Sequence, residues 1–490
     1  MNILFFYTGE PSPIFETQLE LIKKHAVAGD KVLVLICDGK PENCFWNPEK
    51  LKYVCTLCNS KRKNGFDILN DYKNIDYKYL SNFKINENYK GIKNIEVLKN
   101  INYDNVNIGI GIASRIISLY RDHRVDLSNK IVQLNKEILS TIQVYENLKK
   151  NITEFQPDLL YIFNGRASAY LAATHLCKKL NINYFTYEVA YTPNRYLLRK
   201  DCTSHNIDAF HEEMELLWNS EKNINKKEIE SRKYFEKKRY GQNLFKVERF
   251  TIDQKLGKLP SSFDNKFINI AIFNSTIDEY AAVEGWENTI YFPDETSGIK
   301  QIVDSFQNND KFRFYLRVHP NMRKLPKTTS QLADLILLSE QYTNLYIIWP
   351  EEEIDSYELM ISCNKVITFT STIGIESAYW GKPTIIAGHS LYEKLECVYR
   401  PKTHDELINL VQNIELPPLN GELALKYAYR ELNHGIDFKY FKEIGFKNNL
   451  AIGKFCGIQI KPSFITRINF YFNIALNKFI SKIKKLNYDF

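Results

Sequence analysis

No run of about 18 or more apolar residues occurs in this chain, so no segment has the length and character to cross a bilayer as a helix. The opening residues, MNILFFYTGEPSP, put no basic cluster ahead of their short apolar run; a secretory leader is not expected, and a cytoplasmic protein is. Charge of one sign is scarce as well. Lys and Arg total 65 against 58 Asp and Glu, a net +7 over 490 residues, and they are dispersed, so the footprint of a nucleic-acid binder is missing. No internal repeat is visible. What is present is a globular composition, 44% hydrophobic and 25% charged, in a chain too long for one ordinary core, so two domains with additions are expected.

The nine cysteines are unevenly spread. Cys37, Cys44, Cys55 and Cys58 share one short stretch, and Cys55-Thr-Leu-Cys58 has the spacing zinc sites favour, so four thiolates could close a tetrahedral structural site. Against this, Cys37 falls inside a predicted strand and the interval from Cys44 to Cys55 is not that of a zinc finger. A reducing compartment disfavours disulfides. Reduced structural thiols are the first expectation and a structural zinc the alternative.

The first half reads as strands alternating with helices. A strand at Asn2–Tyr7, a helix at 15–27 and a strand at 31–37 make a βαβ opening with a right-handed crossover. Gly9 and Glu10 stand at the first strand's carboxyl end. From about 61 to 125, Asn, Lys and Tyr dominate and periodicity fades apart from a predicted strand near 95–98; the region reads as an insertion. A helix at 129–155, stopped by Pro157, leads to a strand at Leu159–Phe163, a helix at 167–180 and a strand at 184–187. Arg166 and Glu188 thus occupy successive strand ends, either facing a ligand or pairing with each other to fix loops. His205 and Asp208 follow in a loop without a clear partner. Residues 212–259, rich in charge, read as a solvated helical connector, with the domain boundary near Pro260.

A strand at 267–273 opens a second series. Asn274-Ser275-Thr276 sits at its end, followed by Asp278-Glu279-Tyr280; small polar groups there would suit a phosphate or merely cap the turn. The stretch from Phe312 to Gly388 organises the chain. Its apolar runs at 312–318, 344–349, 365–369 and 383–387 alternate with helices, the pattern of buried parallel strands. Arg317, His319, Thr370, Ser371, Thr372 and Glu376 then fall at or just past strand carboxyl ends, where open α/β sheets bind ligands. Hydroxyls and unpaired amides of residues 370–372 would face an anion at the following helix. Arg317 can fork two oxygens, His319 can donate one bond, and Glu376 can accept from ribose hydroxyls. The simpler reading makes Ser371 or Thr372 a helix cap and Glu376 a favourable first-turn charge.

The motif RVHPN at 317–321, followed by TSTIGIESAYWGKP at 370–383, resembles the donor-binding half of GT-B glycosyltransferases from bacterial capsule and surface-polysaccharide gene clusters. The His-Pro and Ser/Thr pairs are also similar to motifs of sialyltransferases and capsule Kdo transferases that use CMP-sugars. The resemblance spans about 265–415. It implies an α/β fold of two Rossmann-like domains facing a central cleft, and transfer of a sugar from a nucleotide donor to a capsule or lipopolysaccharide-type glycan. A CMP-sugar such as CMP-Kdo is favoured over a UDP-sugar. It also implies His319 on the phosphate or leaving group and Ser371 and Thr372 on phosphate oxygens. The acidic-acidic-Gly motif that supplies the base in several such sialyltransferases is not evident. On placement, Glu10 and Glu188 are candidate bases, with Gly9 and Arg166 on the acceptor side. No Asp-x-Asp pair stands at an evident donor site, so metal-independent transfer without a cofactor is expected. A nucleotide-sugar epimerase, a CDP-polyol phosphotransferase and a non-catalytic polysaccharide assembly protein are the alternatives.

Helices are expected at 404–414 and within 423–440, the latter crossing back to the first domain. Near the end, Phe464, Ile465, Ile468, Phe472, Ala475 and Leu476 recur every three or four positions among Arg467, Lys478, Lys482, Lys484 and Lys485. A basic amphipathic helix of this kind would lie on an anionic inner-membrane surface, or else pack on its own protein. The partners expected are thus a nucleotide sugar, a glycan or lipid-linked glycan acceptor, and that membrane surface.

Overall fold

A computed structural model describes the chain except for residues 84, 86–88, 241–250, 252, 287–290, 448–449 and 487–490, and gives only the backbone of 447, 450 and 478–486. The first domain runs β1 (Asn2–Tyr7), α1 (Ile14–Val27), β2 (Lys31–Ile36), α2 (Lys52–Asp67), β3 (Ile75–Tyr79), α3 (Ile95–Lys99), β4 (Asn102–Tyr103), β5 (Val106–Asn107), α4 (Gly109–Tyr120), α5 (Ile131–Phe155), β6 (Leu159–Phe163), α6 (Ser168–Leu180), β7 (Tyr184–Val189) and β8 (Arg195–Lys200). Helices α7 (Ile207–Ser220) and α8 (Ile224–Arg239) follow. The second domain runs β9 (Ile268–Phe273), α9 (Glu295–Asp304), β10 (Phe312–Arg317), α10 (Ser330–Gln341), β11 (Leu345–Ile348), α11 (Ser356–Ser362), β12 (Lys365–Thr368), α12 (Ile373–Tyr379), β13 (Thr384–Ile386) and α13 (His404–Gln412). The chain then returns through α14 (Ala424–Asn433), β14 (Ile436–Asp437), the β15 (Phe441–Lys447) and β16 (Leu450–Phe455) hairpin, and α15 (Phe464–Leu486).

The strand order of the first sheet is β14-β8-β7-β6-β1-β2-β3, and that of the second β11-β10-β9-β12-β13. Apart from β8 and β14 at one edge of the first sheet, every pairing in the two sheets is parallel. Each sheet therefore grows outward on one side of its first strand and then resumes on the other. That reversal puts a switch point between β1 and β6 and another between β9 and β12. Loops diverge at such points and leave a crevice at the carboxyl ends. The apolar runs explain the strands: all of β6 and β12 is buried, as parallel strands packed on both faces must be. The α/β architecture of two Rossmann-like domains is thus as expected, and among the described residues no helix is long and apolar enough to cross a membrane.

Four regions differ from expectation. Residues 95–98 form helix rather than strand, because the Asn94 side chain accepts from the Val97 amide at 2.9 Å and caps it. The stretch 61–125 is no mere insertion, since it supplies β3 to the first sheet and α4 to its core. Helices α7 and α8 are not a solvated connector. Phe210, Met214, Tyr234 and Phe235 are buried against α12 and α14, and several of the charges that suggested solvation turn inward as well: Lys227 is buried, Lys238 meets Glu376, and Glu213 lies between Arg199 and Arg430. Finally, 423–440 is helical only to Asn433. Gly435, at φ +119°, turns the backbone where a side chain would be strained, and β14 then adds to the first sheet.

The returning chain is fixed by a buried carboxylate. Glu20 on α1 accepts the backbone N–H groups of Lys439, Tyr440 and Phe441 at 2.8, 2.8 and 3.2 Å. Phe441 and Phe455 then join the first domain's core.

The domains meet through the segment after β9. Ile277, Tyr280, Val283 and Trp286 are buried in the first domain's hydrophobic cluster, although they belong in sequence to the second. Burying such side chains contributes roughly 1.5–3 kcal/mol each, enough to hold the two switch points together. Polar contacts reinforce the seam: Arg121 Nε lies 3.0 Å from Asp278 Oδ2, His175 Nε2 lies 2.8 Å from Glu284, and Trp286 donates to the His205 carbonyl at 2.9 Å.

Candidate active site

The second domain's switch point is held by side chains predicted for the donor. Asn274 Oδ1 accepts the His319 amide at 2.8 Å, and Ser275 Oγ donates to the Phe369 carbonyl at 2.9 Å. Both side chains are buried, so they stitch the ends of β9, β10 and β12 into one rim. The residues 370–372 border it. Thr370 is left-handed at φ +53°, Ser371 is half-buried, and Thr372 is exposed. Tyr392 lies beneath and donates from its hydroxyl to the Ser371 carbonyl at 2.5 Å. Gly374 permits that approach, because a Cβ there would sit 2.2 Å from Tyr392 Oη. His319 is half-buried at the same rim, its Nδ1 accepting from the Asn321 amide at 3.2 Å.

Arg317 and Glu376 do not join this rim as ligand groups. Arg317 is 3% exposed, and its guanidinium donates to Ser356 Oγ, the Trp349 carbonyl and the Glu352 carbonyl, so the fork expected for phosphate clamps the loop after β11. Burial holds its pKa down at about 10. Glu376 is buried between Lys238 Nζ, 3.0 Å away, and the Tyr357 hydroxyl. It anchors α8 rather than a ribose.

Glu10 stands at the first domain's switch point as expected, yet it is 1% exposed and saturated. Its oxygens accept from the Thr8 and Gly9 amides, both at 3.0 Å, from Thr8 Oγ1 at 3.2 Å and from Tyr170 Oη at 2.8 Å. Burial raises its pKa against these bonds. Gly9 has φ +113°, which glycine alone adopts freely and which brings the loop back for them. Glu188 accepts from Asn164 Nδ2 and, at 2.9 Å, from the Val189 amide. Arg166 donates instead to Ser114 Oγ at 2.9 Å, and among the described residues no ion pair joins it to Glu188. Burial lowers the Arg166 pKa while the carboxylates of Glu279 and Asp278 oppose the shift, which puts Arg166 beside the domain seam.

Asp278 was not singled out from the sequence. It is 3% exposed, at the seam itself; Oδ2 faces Arg121 while buried Oδ1 has no hydrogen-bond partner. Burial raises its pKa to about 6 despite Arg121. A signal existed: a carboxylate four residues past the Asn at a strand end, followed by the apolar run YAAV, which predicts burial.

Glu295, at the first turn of α9, was missed too. It is fully buried, accepts from the Ser275 amide at 2.9 Å and Tyr280 Oη at 2.6 Å, and burial pushes its pKa to about 8. Gln331 accepts from the Ile277 amide at 3.1 Å and donates to the Ser275 carbonyl at 2.9 Å. The loop carrying Asp278 is thereby pinned from two helices.

The four clustered cysteines are all free and line one cavity, but among the described residues no three metal-type ligands converge. Cys55 and Cys58 lie on α2, and the Cys44 thiol donates to the Thr8 carbonyl.

Residues 233–396, about a third of the chain, match the family described as capsule polysaccharide biosynthesis protein. This stretch contains both motifs on which the resemblance was read and takes in most of the second domain. Similar solved structures include the β-Kdo 2,4 transferase of Thermosulfurimonas dismutans KpsC, with 11% identity, 55% of this chain and 79% of that one covered, and a TM-score of 0.34. The β-Kdo 2,7 transferase of the same protein has 11% identity, coverage of 68% and 89%, and a TM-score of 0.33. The UDP-GlcNAc 2-epimerase of Neisseria meningitidis, bound to UDP-GlcNAc, has 13% identity, coverage of 88% and 98%, and a TM-score of 0.26. No curated protein matches the sequence.

Proposed function

We propose that this protein is a glycosyltransferase of capsule polysaccharide synthesis, with a nucleotide sugar on the second domain's rim and a glycan acceptor on the first domain's side of the seam. The observation that carries the reading is Asp278: a carboxylate between two switch points, with one unpaired oxygen and a pKa of about 6, set in a domain that matches the capsule family. A base so tuned is ionised at neutral pH yet still takes a proton. Asp278 Oδ1 would accept the proton of the acceptor hydroxyl as that oxygen attacks the anomeric carbon. Charge growing on the departing nucleotide phosphate would be met by hydroxyls of Thr370, Ser371 and Thr372 and by His319. Glu10 and Glu188 recede as bases because their oxygens already hold fixed donors.

A CMP-sugar such as CMP-Kdo is the first donor to try, on the strength of the His-Pro and Ser/Thr motifs, with UDP-sugars next. With no Asp-x-Asp pair at the rim, the mechanism draws on the chain's own groups. The helix α15 supports peripheral membrane contact: Phe464 and Phe472 are 73% and 66% exposed, beside exposed Ile465, Ile468 and Tyr471. A thermal-shift panel of CMP, UDP, GDP and CDP tests the donor site. The matching nucleotide at a hundredfold excess over Kd should stabilise by about 2.7 kcal/mol, and silence from all four would refute the assignment.

A further inference from the structure

Against the carboxyl ends of β1 and β2 lies a cavity of about 270 Å³ that the transfer mechanism does not use. Its wall is apolar and soft, with Cys37, Cys44, Cys55 and Cys58 around Trp46 and Val54. Two lysines interrupt it: Lys61, whose ammonium donates to Ser12 Oγ at 2.6 Å and lies 3.5 Å from Glu16, and Lys50. The Lys50 ammonium is buried and without a hydrogen-bond partner. The thiols of Cys37 and Cys44 do not neutralise it, since burial pushes both up to about 11 and keeps them protonated. A buried cation without a partner is costly, and an anion entering with the ligand would offset that cost.

The cavity's position supplies the other half. Helix α2 forms one wall, and α15 packs on α2: Tyr53 meets Phe470 edge to face, Ser60 Oγ accepts the Ser463 amide at 2.8 Å, and Asn64 donates to the Lys461 carbonyl at 2.7 Å. Pro462, just ahead of α15, lines the cavity itself. The face of α15 turned away from α2 carries the exposed apolar row, so a membrane on that row would lie at the cavity's edge.

We propose that this cavity takes the hydrocarbon chain of a single-chain anionic amphiphile drawn from the membrane, with the amphiphile's phosphate on Lys50. The inference rests on the transferase reading for its sense, since Thr8 and Gly9 of the acceptor-side loop line the same space and the amphiphile would be the lipid end of the acceptor.

The test uses the full chain and dodecyl phosphate below its micelle concentration, with dodecyl maltoside and inorganic phosphate as separate arms. Each sample is alkylated with N-ethylmaleimide and the modified cysteines are mapped by mass spectrometry. Dodecyl phosphate should protect Cys37, Cys44, Cys55 and Cys58 but not Cys202, which lies outside the cavity, and should quench Trp46 saturably. Lys50→Met should weaken the effect about tenfold, the loss of one charge-assisted bond. Val54→Trp, confirmed folded by circular dichroism, should abolish it by filling the space; if it does not fold, the Lys50 arm decides. Equal protection by dodecyl maltoside, or by inorganic phosphate alone, overturns the proposal, as does full protection in a folded Val54→Trp. Ile465→Asp combined with Phe472→Asp should abolish sedimentation with phosphatidylglycerol vesicles and spare the response to dodecyl phosphate; retention on vesicles overturns the membrane as source. A chain that answers a nucleotide but no amphiphile defeats this inference alone. One that answers the amphiphile but no nucleotide defeats the transferase reading.

Discussion

Glu10 and Asp278 occupy equivalent places, just past the first strand of each domain, at each sheet's switch point. Their surroundings make them opposites. Glu10 is enclosed by its own loop and Tyr170, with donors on both oxygens. Asp278 projects from its domain into the other's packing, paired on one oxygen and bare on the second. Position at a strand end therefore selects candidates without telling a fastener from a reactive group, and satisfied valence makes the distinction.

The contrast can be broken at its strongest point first. Asp278→Asn should lower kcat by roughly 10²–10⁴-fold, the usual worth of a general base, while leaving the nucleotide's thermal shift in place. In the unaltered protein kcat/KM should fall with pH below about 6, because protonated Asp278 cannot accept. A flat profile to pH 5 would remove Asp278 from the role.

Glu295, which holds the Asp278 loop, comes next. Its folded pKa of about 8 lies above the ordinary carboxylate value, so the native state holds a proton that the unfolded chain has lost, and stability declines as pH rises toward 8. Buried His123, His205 and His434 are kept neutral with lowered pKa values, so they add stability as pH rises, a gain that is nearly complete only about one unit above the unfolded value of about 6.5 and opposes the Glu295 trend until then. Between about pH 7.5 and 8.5 the melting temperature should therefore drop, by the equivalent of a few kcal/mol at most, and Glu295→Gln should flatten that drop. An unchanged slope in the variant would mean that Glu295 ionises freely.

Smaller effects sharpen the picture. Gly374→Ala should cost about 1–3 kcal/mol in denaturant unfolding, as overpacking against Tyr392 does. His319→Ala should weaken the nucleotide about tenfold in the thermal-shift titration, by loss of one charge-assisted contact; unaltered affinity would take His319 off the rim. Glu10→Gln should leave kcat nearly unchanged, although an amide cannot accept from every donor around it and stability should fall by about 1–3 kcal/mol. A collapse of kcat in that variant would reverse the roles of the two carboxylates.

Much of the fold was legible because buried parallel strands are written as uninterrupted apolar runs: Asn2–Tyr7 and Leu159–Phe163 were read to the residue. The rim was legible for the same reason, since a strand's end fixes where Asn274, His319 and Ser371 must stand. What stayed hidden depended on contacts between distant segments. Nothing local to Arg317 reveals that three acceptors wait in the loop from 349 to 356, and nothing in the charge of α8 reveals that Lys238 is matched to Glu376. Asp278 was concealed because its loop crosses from one domain into the other's core, and sequence proximity assigns it to the wrong neighbours.

The Glu20 clamp has a consequence for how the molecule comes into being. A ribosome completes the first sheet's core strands early, but the amides that satisfy Glu20 arrive only with residues 439–441, and the edge strand β14 just before them. The amino-terminal domain is thus closed by amides that follow its Glu20 by 419 to 421 residues. A truncation that spares every residue of the rim would still strand a carboxylate in its interior.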